Sequence, residues 1–459
     1  MKWMLPVVIL VALWCSAAYS QAPADANQYV SREEYNKLKE EMNALRAEMM
    51  AMRKERAPQV AEANQVREVE ALKAEVAALK EERTVQSADV NQSIESLSSR
   101  VEIVMKEAER NRIGDTKFLL TGYGFASYTD RRTENSTFSA GFNPIFLWEL
   151  SDQLLFESEI EFELTTPRDN EDETGTSETE TSLEYADMTY ILNDYMTVGA
   201  GKFLLPLGIF NQYLHPAWIN KLPDRPLPYD DEVGIIPEAG IGAFIRGAVP
   251  YGETKWNYAL YICNGPALIT DDPDENGMMD FDNFDDNNHN KAVGGRIGFL
   301  PIPELEVGYS IQAAQVAPPN FEDTDALFQV VDFSYTKQIS QLRGTVQLLS
   351  EWAWSDVDNA TYPDTPRFDN DRRGYYIQAA YRPTMAEDKY LKNLEFVLRY
   401  DSLYVPDNAP GSADEFRWTP GIDYWITPSA VVKVAYQFDE MSGQSEDRNA
   451  LLLQTAIGF

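Results

Sequence analysis

The chain has 459 residues, with 74 Asp and Glu against 39 Lys and Arg and a formal net charge of −35. Charge of this sign excludes nucleic acid as a partner, because phosphate binding needs lysine and arginine to neutralise it. Mean hydropathy is −0.39 and the one long apolar run lies at the N-terminus. That excludes a bundle of membrane helices and leaves a soluble acidic protein or a membrane barrel, whose strands each carry little hydropathy signal.

Residues 1–20 read as an export signal. Lys2 is the positive start, Trp3 to Trp14 are apolar, and Ala18-Tyr19-Ser20 is a small-x-small cleavage pattern before Gln21. The alternative is a membrane anchor, for which about 12 apolar residues are too few. Trp14 is too bulky for the small residue that would precede a lipidated Cys15, so Cys263 is left as the one cysteine of the exported chain and no disulfide forms within it.

Residues 21–112 read as an α-helical coiled-coil stalk. Tyr35, Leu38, Met42, Leu45, Met49 and Met52 follow 3-4-3-4-3 spacing, the apolar seam of a coiled coil. Pro58 interrupts it. The seam resumes at Val69, Leu72, Val76 and Leu79, and returns from Val90 to Val104 after a phase shift. The alternative is one amphipathic helix folded back on the chain.

From Phe118 the period becomes two. Sixteen candidate strands follow: 118–128, 137–149, 153–164, 182–192, 196–204, 241–249, 254–262, 291–299, 304–313, 326–335, 341–351, 373–382, 393–403, 414–426, 429–438 and 449–459. Alternation alone also fits a soluble sandwich, but the connections alternate too. Those at 150–152, 193–195, 250–253, 300–303, 336–340 and 427–428 are short, with 383–392 longer. Those at 165–181, 205–240, 263–290, 314–325, 352–372, 404–413 and 439–448 are mostly long. Short turns at one end and long loops at the other predict, for residues 113–459, an all-β membrane protein: a 16-stranded antiparallel transmembrane β-barrel in the outer membrane. The long loops then face outward and the stalk lies in the periplasm.

The terminal Phe459, closing an alternating strand, resembles the signature by which outer-membrane barrels are recognised for insertion. Gly201-Lys202-Phe203-Leu204-Leu205-Pro206-Leu207-Gly208, preceded by Glu184 to Tyr190, resembles a stretch of the phosphate-selective porin O and P-like family. The resemblance covers roughly 118–459 in layout. It implies a passive outer-membrane porin for ions and small hydrophilic solutes, a homotrimer set in lipid and lipopolysaccharide, with an N-terminal coiled coil in some members. The chain departs from the family's pattern at Leu204 and Leu207. Its 205–240 stretch carries Lys221 and Arg225 in place of a lysine cluster, so weak cation preference is expected in place of phosphate selectivity. A structural anchor with the coiled coil as periplasmic tether is the other reading.

Porin selectivity comes from charges lining the lumen. Glu157, Glu159, Glu161 and Glu163 share one face of their strand, and four carboxylates on one face cannot point into lipid. With Asp187 they are the expected acidic lining. By the same alternation Arg246, Arg296, Arg343, Arg382, Arg399, Arg417 and Lys433 are the expected basic lining. Acids near the third and fourth strands and bases near the eleventh to fifteenth would set a transverse field. Alternatively each base pairs with a neighbour such as Glu351, Glu395 or Glu415.

The 205–240 connection holds six prolines and Leu205, Ile209, Phe210, Trp218, Ile235 and Ile236. A loop this apolar packs on something. Folding into the barrel makes Lys221, Asp224, Arg225, Asp230, Asp231 and Glu232 constriction residues, and packing between subunits is the alternative. In the next long loop Asp272, Asp274, Asn276 and Asp280 fit the first nine positions of a calcium loop around Gly277, with Asn283 in place of the usual last glutamate. Calcium there is one reading and a solvated acidic loop the other, and no other cofactor is expected. His215 and His289, the chain's two histidines, lie in loops without a Ser or Asp partner at a motif's spacing, so an enzyme is not expected.

Overall fold

The computed structural model describes residues 112–459 apart from 114–115, 134, 166–177, 232, 283, 286–287, 363–364, 411 and 444–447. The signal segment, all but the end of the stalk, Glu232 and Asn283 therefore lie outside the described residues.

Sixteen strands form the wall: β1 Thr116–Arg131, β2 Thr137–Ser151, β3 Leu154–Thr165, β4 Glu178–Asn193, β5 Met196–Leu204, β6 Ala239–Tyr251, β7 Thr254–Asn264, β8 Lys291–Ile302, β9 Leu305–Gln315, β10 Asp325–Ile339, β11 Gly344–Val357, β12 Asn370–Arg382, β13 Leu394–Tyr404, β14 Glu415–Thr427, β15 Ala430–Met441 and β16 Ala450–Gly458. Each pairs antiparallel with the next. β16 returns to β1, from Ala450 opposite Arg131 to Gly458 opposite Tyr123, which closes the barrel and leaves no free edge. At the seam the Gly122 amide donates to the Phe459 carbonyl at 3.2 Å, and the Phe459 ring stacks on Phe142 at 5.8 Å. Among the described residues no helix is long and apolar enough to cross a membrane.

The connections sort by end. Those at 152–153, 194–195, 252–253, 303–304, 340–343 and 428–429 are short, 383–393 at the same end is longer, and the two longest of all, 205–238 and 265–290, stand at the other end. Residues directly opposite across strands share a face, so the register identifies the two faces. One row runs Ile297, Tyr309, Val331, Trp352 and Tyr375 across β8 to β12. It is apolar or aromatic, with Ile297, Tyr309 and Val331 exposed and Trp352 and Tyr375 half-buried against each other. The Trp352 and Tyr375 rings stack at 4.5 Å, and Tyr400 lies 4.6 Å from Trp418, extending an aromatic belt around the outside. The opposite face carries the charges: Glu157 stands across from Asp187, Arg246 across from Ala259, and Ala259 across from Arg296.

One strand differs from expectation. The segment 341–351 was expected to be extended throughout, but Ser340–Leu342 form a short 3-10 turn and Arg343 turns the chain at φ 51°. The strand starts at Gly344 and runs on to Val357. Arg343 is therefore in a turn, not on the lumen wall.

Candidate functional site

The site is built from the 205–238 loop, which enters the barrel and packs on its inner wall. Its Leu205, Leu207, Ile209, Phe210, Leu227 and Tyr229 join one buried cluster with wall residues Phe203, Phe244, Tyr261, Phe328 and Tyr376. The apolar surface that could have served a subunit contact is thus covered within the same chain. Gly208 makes the inward turn at φ +79°, where a Cβ would lie 1.8 Å from Glu351 Oε2. Only glycine fits so close an approach of backbone to carboxylate. Glu351 is the first anchor: its Oε2 accepts from the Ile209 amide at 2.9 Å and the Tyr229 hydroxyl at 2.7 Å, and its Oε1 accepts from the Tyr376 hydroxyl at 2.6 Å.

Four further anchors hold the loop's far side. Arg399 Nε pairs with Asp401 at 2.7 Å, its Nη1 and Nη2 donate to the Asp224 and Arg225 carbonyls at 3.1 Å, and it pairs with the Asp224 carboxylate. Lys433 Nζ donates to the carbonyls of Ala217 and Asn220 and to Gln454 Oε1. Lys221 Nζ lies 2.9 Å from Glu395, which also accepts from the Trp425 indole at 2.8 Å. Arg417 spans Asp230 at 3.6 Å and Glu415 at 2.6 Å. A buried charge is stable only when paired and hydrogen-bonded; on this wall Arg399, Arg417, Lys433 and Glu395 are each bonded to the loop.

The wall formed by β2 to β4 is different. Glu157 faces Asp187, and Arg246 reaches Glu157 at 3.4 Å. Thr189 Oγ1 donates to Asp187 at 3.0 Å. Asn143 Nδ2 donates to Glu161 at 3.1 Å and to Glu159 at 3.5 Å, and Ser182 Oγ donates to Glu161 at 3.4 Å. A register shift between Glu159 and Ile160 puts Tyr185 and Leu183 opposite them and leaves Glu184 bulged between. Across from this wall, Arg225 grips both Glu238 oxygens at 2.9 Å and Asp231 at 3.1 Å. Glu163 feels the charges of both Arg225 and Asp231. On this wall Glu157, Glu161 and Glu163 are part-exposed, while Glu159 and Asp187 are 1% and 4% exposed and held by the bonds above.

The expected basic lining divides into four places. Arg399, Arg417 and Lys433 lie beneath the loop. Arg296 is neutralised by Asp332 at 2.6 Å and Glu306 at 2.9 Å, with Asn257 at 3.0 Å. Arg382 packs over Trp425 at 5.3 Å and donates to the Lys392 carbonyl, while Arg343 is exposed in its turn, 3.9 Å from Glu387. Arg246 sits among the acids themselves. No separate basic wall faces the acidic one, because strands β13 to β15 carry Glu395, Asp401, Glu415, Asp423 and Asp439 beside their bases.

In the 265–290 loop, Ala267–Leu268 pairs with Met279–Asp280 as a small hairpin. Asp272 Oδ1 accepts from the Asp274 amide at 2.9 Å, Asp280 Oδ1 from the Asp282 amide at 3.0 Å, and Asn276 Nδ2 donates to Thr365. Among the described residues no three His, Cys, Asp or Glu side chains converge to hold a metal. His215 is on the inward loop, where its Nδ1 meets the Asn211 carbonyl. Burial pushes its imidazole down to about 4, so it is neutral at ordinary pH.

Sequence reasoning missed Asn143, Glu238, Asn211 and Arg372 as lumen residues. Asn143 carried a signal, a polar side chain in an otherwise apolar stretch of β2. Glu238, in a loop before β6, and Asn211, within the inward loop, had no periodicity to mark them.

No protein-family model matches this sequence, and no curated protein matches it. Among solved structures, the outer membrane channel DcaP of Acinetobacter baumannii is similar at 13% identity, over 76% of this chain and 99% of that one, with a TM-score of 0.48. OprB of Pseudomonas putida is similar at 12% identity over 75% and 94%, TM-score 0.48. An anion-selective porin from Comamonas acidovorans is similar at 11% identity over 75% and 100%, TM-score 0.44.

Proposed function

We propose that this protein is an outer-membrane channel through which ions and small hydrophilic solutes diffuse passively, with weak preference for cations. Its short turns face the periplasm, where the coiled-coil stalk stands, and its long loops face outward among lipid and lipopolysaccharide. The barrel is one protomer of a homotrimer in this reading. The observation that carries it is the one-sided packing of the 205–238 loop: it packs on the wall that holds Arg399, Arg417 and Lys433, and the other wall carries part-exposed Glu157, Glu161 and Glu163 with buried Glu159 and Asp187 beside them. The barrel residues from 113 onward hold a net charge of −33, against −3 for residues 23–112. Such a field draws cations inward and repels multivalent anions at low salt, so phosphate is not the favoured solute.

The firm seating of the loop favours one competing reading, a plugged barrel that anchors the stalk. Planar-bilayer recording separates the two. Ohmic single-channel steps, with a reversal potential of cation sign under a salt gradient, are expected. Silence would leave the anchor, and a strong anion preference would overturn the charge argument.

A further inference from the structure

Between the inward loop, the 265–290 loop and the outer ends of β11 and β12 lies a cavity of about 260 Å³. Ligand pockets for drug-sized molecules run at about 300–1,000 Å³, so its occupant is smaller than these. Two of its lining side chains lack partners. Asn211 is 1% exposed, and neither its Nδ2 nor its Oδ1 is hydrogen-bonded. Arg372 donates through Nε to Asn370 Oδ1 at 3.3 Å, but its Nη2 is buried without a partner. Its place on the inner face follows from register, since it stands opposite the buried Ser355, which stands opposite the buried Phe328. Buried polar groups are hydrogen-bonded as a rule, so an amide and a guanidinium nitrogen buried without partners in the lining of one cavity point to a solute that completes them as it seats.

The other charged residues of the lining are acids: Asp230 and Glu238 are paired with Arg417 and Arg225, Arg225 also reaches Asp231 at 3.1 Å, and Asp280 and Asp282 complete the set. Asp280 and Asp282 are exposed on the small hairpin, and Asp231 has 74% of its side chain exposed. A purely anionic solute would meet these carboxylates, and a purely cationic one would meet Arg372. We infer that the cavity is a subsite for a small zwitterion of the α-amino-acid class. The solute's carboxylate accepts from Arg372 and from Asn211 Nδ2, and its ammonium donates to Asn211 Oδ1 and faces the three aspartates. This rests on the channel reading, because it names a solute class that enters from the long-loop side.

The test is tracer uptake into vesicles holding the purified full-length protein, with L-glutamine, uncharged arabitol and cationic ethanolamine as solutes. L-Glutamine is expected to enter faster than arabitol and to saturate. Arg372→Met and Asn211→Leu are each expected to slow it about tenfold, the size of one lost charge-assisted hydrogen bond, with arabitol unchanged. Unchanged arabitol uptake also shows that a variant has folded. Equal entry of L-glutamine and arabitol in the wild type overturns the subsite, as does an advantage that survives both substitutions. So does an equal advantage for ethanolamine, which would mean that the aspartates act alone. Arabitol uptake no faster than in protein-free vesicles would instead sink the channel reading, and this inference with it.

Discussion

The two halves of the inner wall obey one rule of strand alternation and end in opposite conditions. On β13 to β15, Arg399, Arg417 and Lys433 are buried and bonded to the loop, Arg399 and Arg417 also pairing with wall acids and Lys433 with Gln454. On β3 and β4 the glutamates share two nearby arginines, Arg246 and Arg225, and look across a gap. Alternation decides that a charge faces inward. Whether it then acts on a solute is decided by what covers it. Charges under the loop bond to it, and in the proposed channel the charges away from it are the ones left to act on a solute.

The largest effect is expected where a fastener is removed. Arg399→Met leaves Asp401 and Asp224 without their guanidinium, and stripping one partner from a buried ion pair costs about 3–5 kcal/mol. Glu351→Leu likewise orphans Tyr229, Tyr376 and the Ile209 amide. Each variant should lower the thermal unfolding midpoint, raise single-channel conductance and add current noise as the loop loosens. If conductance and noise match the wild type, the apolar cluster alone holds the loop and the fasteners are redundant.

The next effect should fall on the open wall. Replacing Glu157, Glu159, Glu161 and Glu163 together by Gln removes four charges without changing side-chain shape. The reversal potential under a salt gradient should move toward zero, with conductance little altered. The matched control is Lys221→Gln, one charge removed beneath the loop, where Lys221 is already neutralised by Glu395. Its shift in reversal potential should be smaller than that of Glu157→Gln, Glu161→Gln or Glu163→Gln, whose side chains are part-exposed. Equal shifts would mean that the covered wall is as open to ions as the other, and the contrast between the walls would fail.

Much of this was legible in the sequence. The sixteen strands, their order and the asymmetry of the connections follow from period-two alternation and turn chemistry, both local properties of the chain. The inward loop was legible for a different reason: Leu205, Phe210 and Ile235 have too much apolar surface to stand in water. The partners of the charges were not legible. Arg399 meets Asp224 across 175 positions, and Lys433 meets Asn220 across 213. No periodicity encodes such a meeting, which depends on how far the loop reaches across the lumen. Arg343 shows the limit at strand ends, where a single residue turning at positive φ takes a side chain off the wall that parity alone would give it.

The smallest effect, salt dependence, separates the walls without any substitution. The screening length is about 10 Å at 0.1 M salt and about 3 Å at 1 M. Glu157, Glu161 and Glu163 are part-exposed, so at 1 M their field no longer spans the passage and the cation preference should fade. The pairs beneath the loop are closed to mobile ions: Arg399 and Asp401 are fully buried at 2.7 Å, inside even the shorter screening length. Screening therefore does not release the loop, and conductance should rise in proportion to bulk conductivity with no added noise. Selectivity lost together with a jump in noise at high salt would mean that the fasteners are exposed to solvent. Selectivity kept at 1 M would mean that ion preference comes from a site too narrow to admit screening ions, such as the gap beside Arg225, and not from the breadth of the acidic wall.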